Sequence, residues 1–150
     1  MKPGVRRFLH LATLAIGGTG LLWAWQRHLW DAGPEPLDPE LLLEWTGVHP
    51  WEPITRTLHL LAAPASIFAV GIIWQAHVAP RLWKPWARRR TGLTLALLFA
   101  PMVFSGVLLQ TATSPDLRTL WLWVHLVTGF VWFFGYGVHI ALRRPSPARP

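Results

Sequence analysis

The sequence predicts an all-α integral membrane protein, a four-helix bundle that forms a single membrane domain over residues 1–150. Three observations predict it. Apolar residues make up 52% of the chain and fall in long blocks, not in the short periodic stretches of a soluble core. Four of these blocks can cross a hydrocarbon core about 30 Å thick. The charges gather between the blocks, with cations on alternate sides. Each block is helical by necessity, because in lipid the backbone must bond to itself, and a barrel would need many alternating segments of about ten residues.

The first block, residues 8–25, follows Lys2, Arg6 and Arg7. Basic residues before an apolar run also mark a secretory signal, but no A-x-A-like cleavage site follows Gly20, and Trp23, Trp25 and Trp30 read as an outer interfacial belt. The block is therefore expected to be a retained helix. The second, third and fourth helices are expected at residues 54–83, 93–110 and 120–142. Between the first two, residues 31–53 form the one extended polar stretch, where DPELLLEWTG reads as an amphipathic surface helix over about residues 38–46. Asp38 is its N-cap, Pro39 its first position and Gly47 its stop. Its acidic side is a candidate dock for a basic redox partner, with a merely solvated loop as the alternative.

Orientation follows from the connections. The N-terminus, the second connection (Arg81, Lys84, Arg88, Arg89, Arg90) and the tail (Arg143, Arg144, Arg149) hold eleven cations and no acid, so they are expected on the cytoplasmic side. The opposite side has Arg27, Arg56 and Arg118 with all seven acids. Both termini then lie inside, and the net charge of +7 reflects membrane topology, not nucleic-acid binding. The chain has no cysteine, which removes disulfides, thiolate metal sites and covalent haem attachment.

Seven histidines are present. His28 and His49 sit in or beside the polar connection, where solvent or the membrane interface accounts for them. His10, His59, His77, His125 and His139 lie within apolar runs, where a polar side chain is costly and faces the interior with a partner. A hydrogen bond to a neighbouring helix accounts equally well for any one of them. Their spacing adds more. Fourteen residues of helix, the separation of His125 from His139, rise about 21 Å and leave the two rings about 40° apart in azimuth. Each can then be an axial ligand to a separate haem iron, as a neutral imidazole, with two cofactors stacked across the bilayer. Counted from the helix ends, His59 matches His125 in depth near the outer side, and His10 matches His139 near the inner side.

In these features the chain resembles the four-helix bacterial di-haem cytochromes b, which include the small quinol-linked cytochrome b and the membrane subunits of formate dehydrogenase and nickel-iron hydrogenase. The resemblance spans nearly the whole chain. It is carried by RRFLH and Thr19-Gly20 on the first helix, LHLL with His59 on the second, FSGVLLQ on the third, and WVHLVTG and YGVHI on the fourth. It implies that His10, His59, His125 and His139 ligate the iron of two non-covalent b-type haems, and that electrons pass between them and quinone. Gly17, Gly18, Gly20, Gly106, Gly129, Gly135 and Gly137 are expected to admit a flat macrocycle, or else to serve close helix packing.

His77 departs from the pattern. It follows His59 by eighteen residues, five full turns, and so should face the same interior. It is an alternative inner ligand to His10, or a contact for a haem propionate or, with Gln75, a quinone; an interfacial histidine beside Arg81 and Trp83 is the plain alternative. The expected function is electron transfer between an outer-face partner protein and the quinone pool near the inner face of a bacterial cytoplasmic membrane. The chain would be a component of a quinone-linked oxidoreductase, alone, as a homodimer or within a larger respiratory complex. Two rivals are a haem-free anchor or scaffold subunit of such a complex, and a small transporter or metal-conducting channel.

Overall fold

The computed structural model describes residues 2–31, 33–34, 38, 47–83 and 89–142. The described residues are helical apart from short connections. Helix α1 is Pro3–His28, α2 is Glu52–Ile73, a π-helical stretch Trp74–Val78 and the short α3, Ala79–Trp83, continue from it, α4 is Arg89–Thr111 and α5 is Pro115–Ala141. Four helices are long and apolar enough to span a membrane: Pro3–His28, Glu52–Val78, Thr91–Thr111 and Pro115–Ala141. The expectation of an all-α, multi-pass membrane protein holds. The surface helix expected over residues 38–46 lies outside the described residues, as do the basic connection 84–88 and the tail 143–150.

The helices run past the apolar blocks because their ends are chemically equipped to extend. Ser114 caps α5, accepting from the Leu117 N–H at 3.2 Å, with Pro115 next and Asp116 in the first turn. Helix α2 starts at Glu52, whose N–H reaches the His49 carbonyl at 2.9 Å, and whose carboxylate suits the positive end of the helix. The α-register of the second helix stops at Ile73, where π-type bonds such as Ala79 N–H to Trp74 O begin. Pro80 follows at once, and its ring lacks the donor that the Ala76 carbonyl would use in a regular α-turn. A wider turn ahead of the proline avoids that conflict.

Residues Lys2–Ile72 make one compact unit and Ile73–Pro150 the other. In the first, α1 and α2 run antiparallel: Phe8 meets Phe68, Ala12 meets Ser66, Ile16 meets His59 and Trp23 meets Glu52. In the second, α4 and α5 form a hairpin through the short turn after Thr111. Apart from Leu9, Ile73 and Trp132, what these pairs bury is small or polar. Thr13 and Ser105 are each 1% exposed, whereas Leu11 is 66% and Phe104 67% exposed. That inverts a soluble core and suits a lipid surround, where helices approach through small residues and bond through polar ones.

Trp132 is the large exception, buried between α4 and α5 with its indole N–H donating to the Leu95 carbonyl at 3.1 Å. Trp132→Phe keeps an aromatic ring, removes the donor and leaves a void where the second ring stood. It should lower the stability of the protein in detergent by about 1–3 kcal/mol. Trp123→Phe, at a position 62% exposed, should leave thermal unfolding within about 0.5 kcal/mol of the parent.

Candidate functional site

The histidines are held by a device that recurs. On α1, Thr19 is followed by Gly20, and the ring of His59 from α2 lies against this step. Its Nδ1 donates to the Ile16 carbonyl at 3.1 Å and lies 3.2 Å from Thr19 Oγ1. On α4, Ser105 is followed by Gly106, and His125 from α5 lies against it with Nδ1 donating to the Met102 carbonyl at 3.0 Å and 3.3 Å from Ser105 Oγ. In both cases the carbonyl belongs to the residue three before the hydroxyl. The hydroxyls are themselves anchored, Thr19 on the Ala15 carbonyl at 2.6 Å and Ser105 on the Met102 carbonyl at 3.0 Å.

The glycine after each hydroxyl makes the room. A Cβ on Gly20 would stand 2.9 Å from His59 Cε1, 3.3 Å from Nδ1 and 3.9 Å from Nε2; on Gly106 the same atoms of His125 would be 3.0, 3.3 and 3.9 Å away. The two rings thus take the same posture on two separate helix pairs. A third case follows on α4, where Thr91 Oγ1 lies 3.0 Å from His139 Nδ1 and a Cβ on Gly92 would stand 3.5 Å from His139 Cε1. Thr91 and Gly92 escaped the sequence reading, which began the third helix two residues later. The signal was there: a second Ser/Thr-Gly step fourteen residues before Ser105-Gly106 matches the fourteen residues between His125 and His139.

These mounts decide the chemistry of the rings. A carbonyl can only accept, so Nδ1 of His59 and of His125 carries the proton, and the lone pair of the neutral imidazole sits on Nε2. That is the tautomer an imidazole needs to ligate a metal through Nε2, and a hydrogen bond from the other nitrogen orients the ring and raises its basicity. Imidazoles presented in this way are of the kind that would hold a haem iron.

Helix α5 is uninterrupted from Pro115 to Ala141, so the fourteen-residue phase holds, and both of its histidines turn toward α4. His10 is half-buried on α1, beside buried Leu9. His10 and His59 belong to one unit, His125 and His139 to the other. His77 is half-buried in the π-helical stretch and Gln75 is exposed. The five-turn count from His59 to His77 fails here, because a π-turn holds more residues than an α-turn and breaks the phase. Among the glycines, Gly20 and Gly106 seat histidine rings and Gly135 lies where a Cβ would meet Leu95 Cδ2 at 3.5 Å, while Cβ atoms on Gly18, Gly129 and Gly137 would meet nothing within 4 Å.

At the end of the first unit where α1 finishes and α2 begins, a second polar group gathers around His49, which the sequence reading assigned to solvent or interface. His49 Nδ1 accepts from the Trp51 N–H at 3.1 Å and lies 3.4 Å from Gln26 Nε2, with the rings of Trp25 and Trp30 against it at 5.6 and 5.0 Å. Glu52 accepts from the Trp23 indole at 3.0 Å and pairs with Arg27 at 3.6 Å. Among the described residues no three His, Asp or Glu side chains gather as a metal cage.

Comparison of the chain with protein-family models, curated proteins and solved structures finds no match.

Adding a methyl group tests the mounts directly. Gly20→Ala and Gly106→Ala should each displace a histidine ring and cost about 1–3 kcal/mol, as overpacking does. Gly129→Ala, into open space, should be silent. Thermal unfolding in detergent reads the cost, and the Nδ1–H resonances of 15N-histidine-labelled protein should shift for the ring concerned and no other.

Proposed function

We propose that the protein is a di-haem b-type cytochrome of a bacterial cytoplasmic membrane, with both termini on the cytoplasmic side. It carries electrons between a redox partner at the outer face and quinone near the inner face. The observation that carries this reading is the repeated mount: imidazoles in membrane-length helices, two of them held by Nδ1 on a backbone carbonyl and all three beside a Ser/Thr-Gly step. A lone interhelical hydrogen bond needs none of this repetition. His10, His59, His125 and His139 would ligate the iron of the two haems.

A haem supplies one-electron chemistry at its iron. The chain's own residues do the remainder. The Ile16 and Met102 carbonyls orient the ligating rings and strengthen them as donors. The exposed apolar side chains of the spans would keep the surround of low dielectric in a bilayer. His77 and Gln75, in a π-helical stretch of the kind that recurs at functional sites, are the groups offered to a quinone or a haem propionate.

Purified in detergent, the protein should show a Soret band and a pyridine haemochrome ratio near two haems per chain. His10→Ala, His59→Ala, His125→Ala and His139→Ala should each lose about one haem, and His77→Ala should keep both. Haem loss at His77 but not His10 reassigns the inner site. A folded wild-type protein with no Soret band, after expression with ample haem, overturns the proposal and leaves the haem-free anchor reading in its place.

A further inference from the structure

Glu52 is a carboxylate only 9% exposed at the first turn of α2. Its Oε1 accepts the Trp23 indole N–H at 3.0 Å, and its Oε2 lies 3.6 Å from Arg27 Nη1. The pair is lopsided, since the Arg27 side chain is 57% exposed and that of Glu52 12%. Solvent screens the cation far more than the anion, so the pairing neutralises Glu52 incompletely.

Seven residues separate Glu52 from His59 on one α-helix. Seven residues advance about 10.5 Å and return to within about 20° of the same azimuth. Carboxylate and imidazole therefore share a face of α2, two turns apart. Trp23 joins them: its N–H holds the carboxylate, and its ring lies 5.7 Å from the His59 ring at 57°. No water-filled path is needed for the charge to be felt.

We propose that Glu52 is a positioning residue whose negative charge, held by Trp23 and trimmed by Arg27, lowers the redox potential of the metal group ligated by His59. The inference rests on the haem reading above and names a control on one of its two sites. A negative charge favours the oxidised, more positive iron. At about 10 Å and an effective dielectric of about 20, one unit charge biases a one-electron equilibrium by roughly tenfold. Tenfold corresponds to about 59 mV.

The test uses the haem-loaded full chain in detergent at fixed ionic strength, with redox titration followed optically and the haem-to-chain ratio measured alongside. Glu52→Gln keeps an acceptor for Trp23 and removes the charge; it should raise one of the two midpoints by about 59 mV, tenfold in the equilibrium, and leave the other in place. Glu52→Asp keeps the charge and should stay near the wild type. Arg27→Gln should lower the same midpoint by a smaller amount, and the double variant should fall between the single ones. If Glu52→Gln does not fold, Arg27→Gln on its exposed side chain decides alone, and the absence of a downward shift overturns the inference. Unchanged midpoints in both variants, or equal shifts of both haems, also overturn it. A wild type with two haems and no such shift defeats this inference only; a wild type without haem defeats the functional reading as well.

Discussion

A carbonyl oxygen inside a membrane helix is engaged by the N–H four residues on, yet it has a second lone pair, and the histidine mounts depend on that lone pair. The Ile16 and Met102 carbonyls each accept an imidazole proton from a neighbouring helix. With no water to compete, such a bond assigns the proton to Nδ1 and holds the ring plane. The hydroxyl of Thr19 or Ser105, already committed to its own helix, adds a second acceptor beside the first. The glycine that follows lets the ring come close enough to use both. Tautomer, orientation and helix separation are thus consequences of one contact.

The same contacts hold the helix pairs together. Lipid is as apolar as leucine, so exposed Leu11, Phe104 and Trp123 contribute nothing to helix association by leaving it. What remains is close approach at small residues and directional bonds: Ser66 to the Ala12 carbonyl, Trp132 to the Leu95 carbonyl, and the histidines to theirs. Residues that stabilise this protein and residues that would serve an electron carrier are largely the same set. A substitution at a mount consequently has two effects, and a stability measurement must accompany any functional one.

The sequence announced the helices because a block of some twenty apolar residues has few alternatives in a membrane, and it announced the facing of His125 and His139 because α5 is regular over the fourteen residues between them. It concealed two things. Thr91-Gly92 lies where the basic connection gives way to apolar sequence, so a reading by hydropathy ended the helix short of it; only the fourteen-residue echo of Ser105-Gly106 pointed there. The π-turn at Trp74–Val78 was hidden because Pro80 alone does not say whether a helix will stop, kink or widen, and the phase of His77 was lost with it. The polar group of Gln26, His49 and Glu52 was passed over for another reason. Its members are scattered among tryptophans that read as an interfacial belt, and only the antiparallel pairing of α1 with the start of α2 brings them together.

Apolar helices slide past one another at little cost, so an antiparallel pair in lipid needs something to set its register. In the α4–α5 hairpin two mounts do this at once. Moving fourteen residues up one helix, from Thr91-Gly92 to Ser105-Gly106, corresponds to moving fourteen down the other, from His139 to His125. A slip of one residue would turn both glycines off their rings and strip both histidines of their acceptors together, leaving imidazoles unsatisfied in hydrocarbon. As a matched pair the polar contacts admit one alignment and penalise its neighbours, the role that buried polar residues take in coiled coils. The register that would present two imidazoles at two levels of a bilayer is the one in which both mounts are satisfied at once.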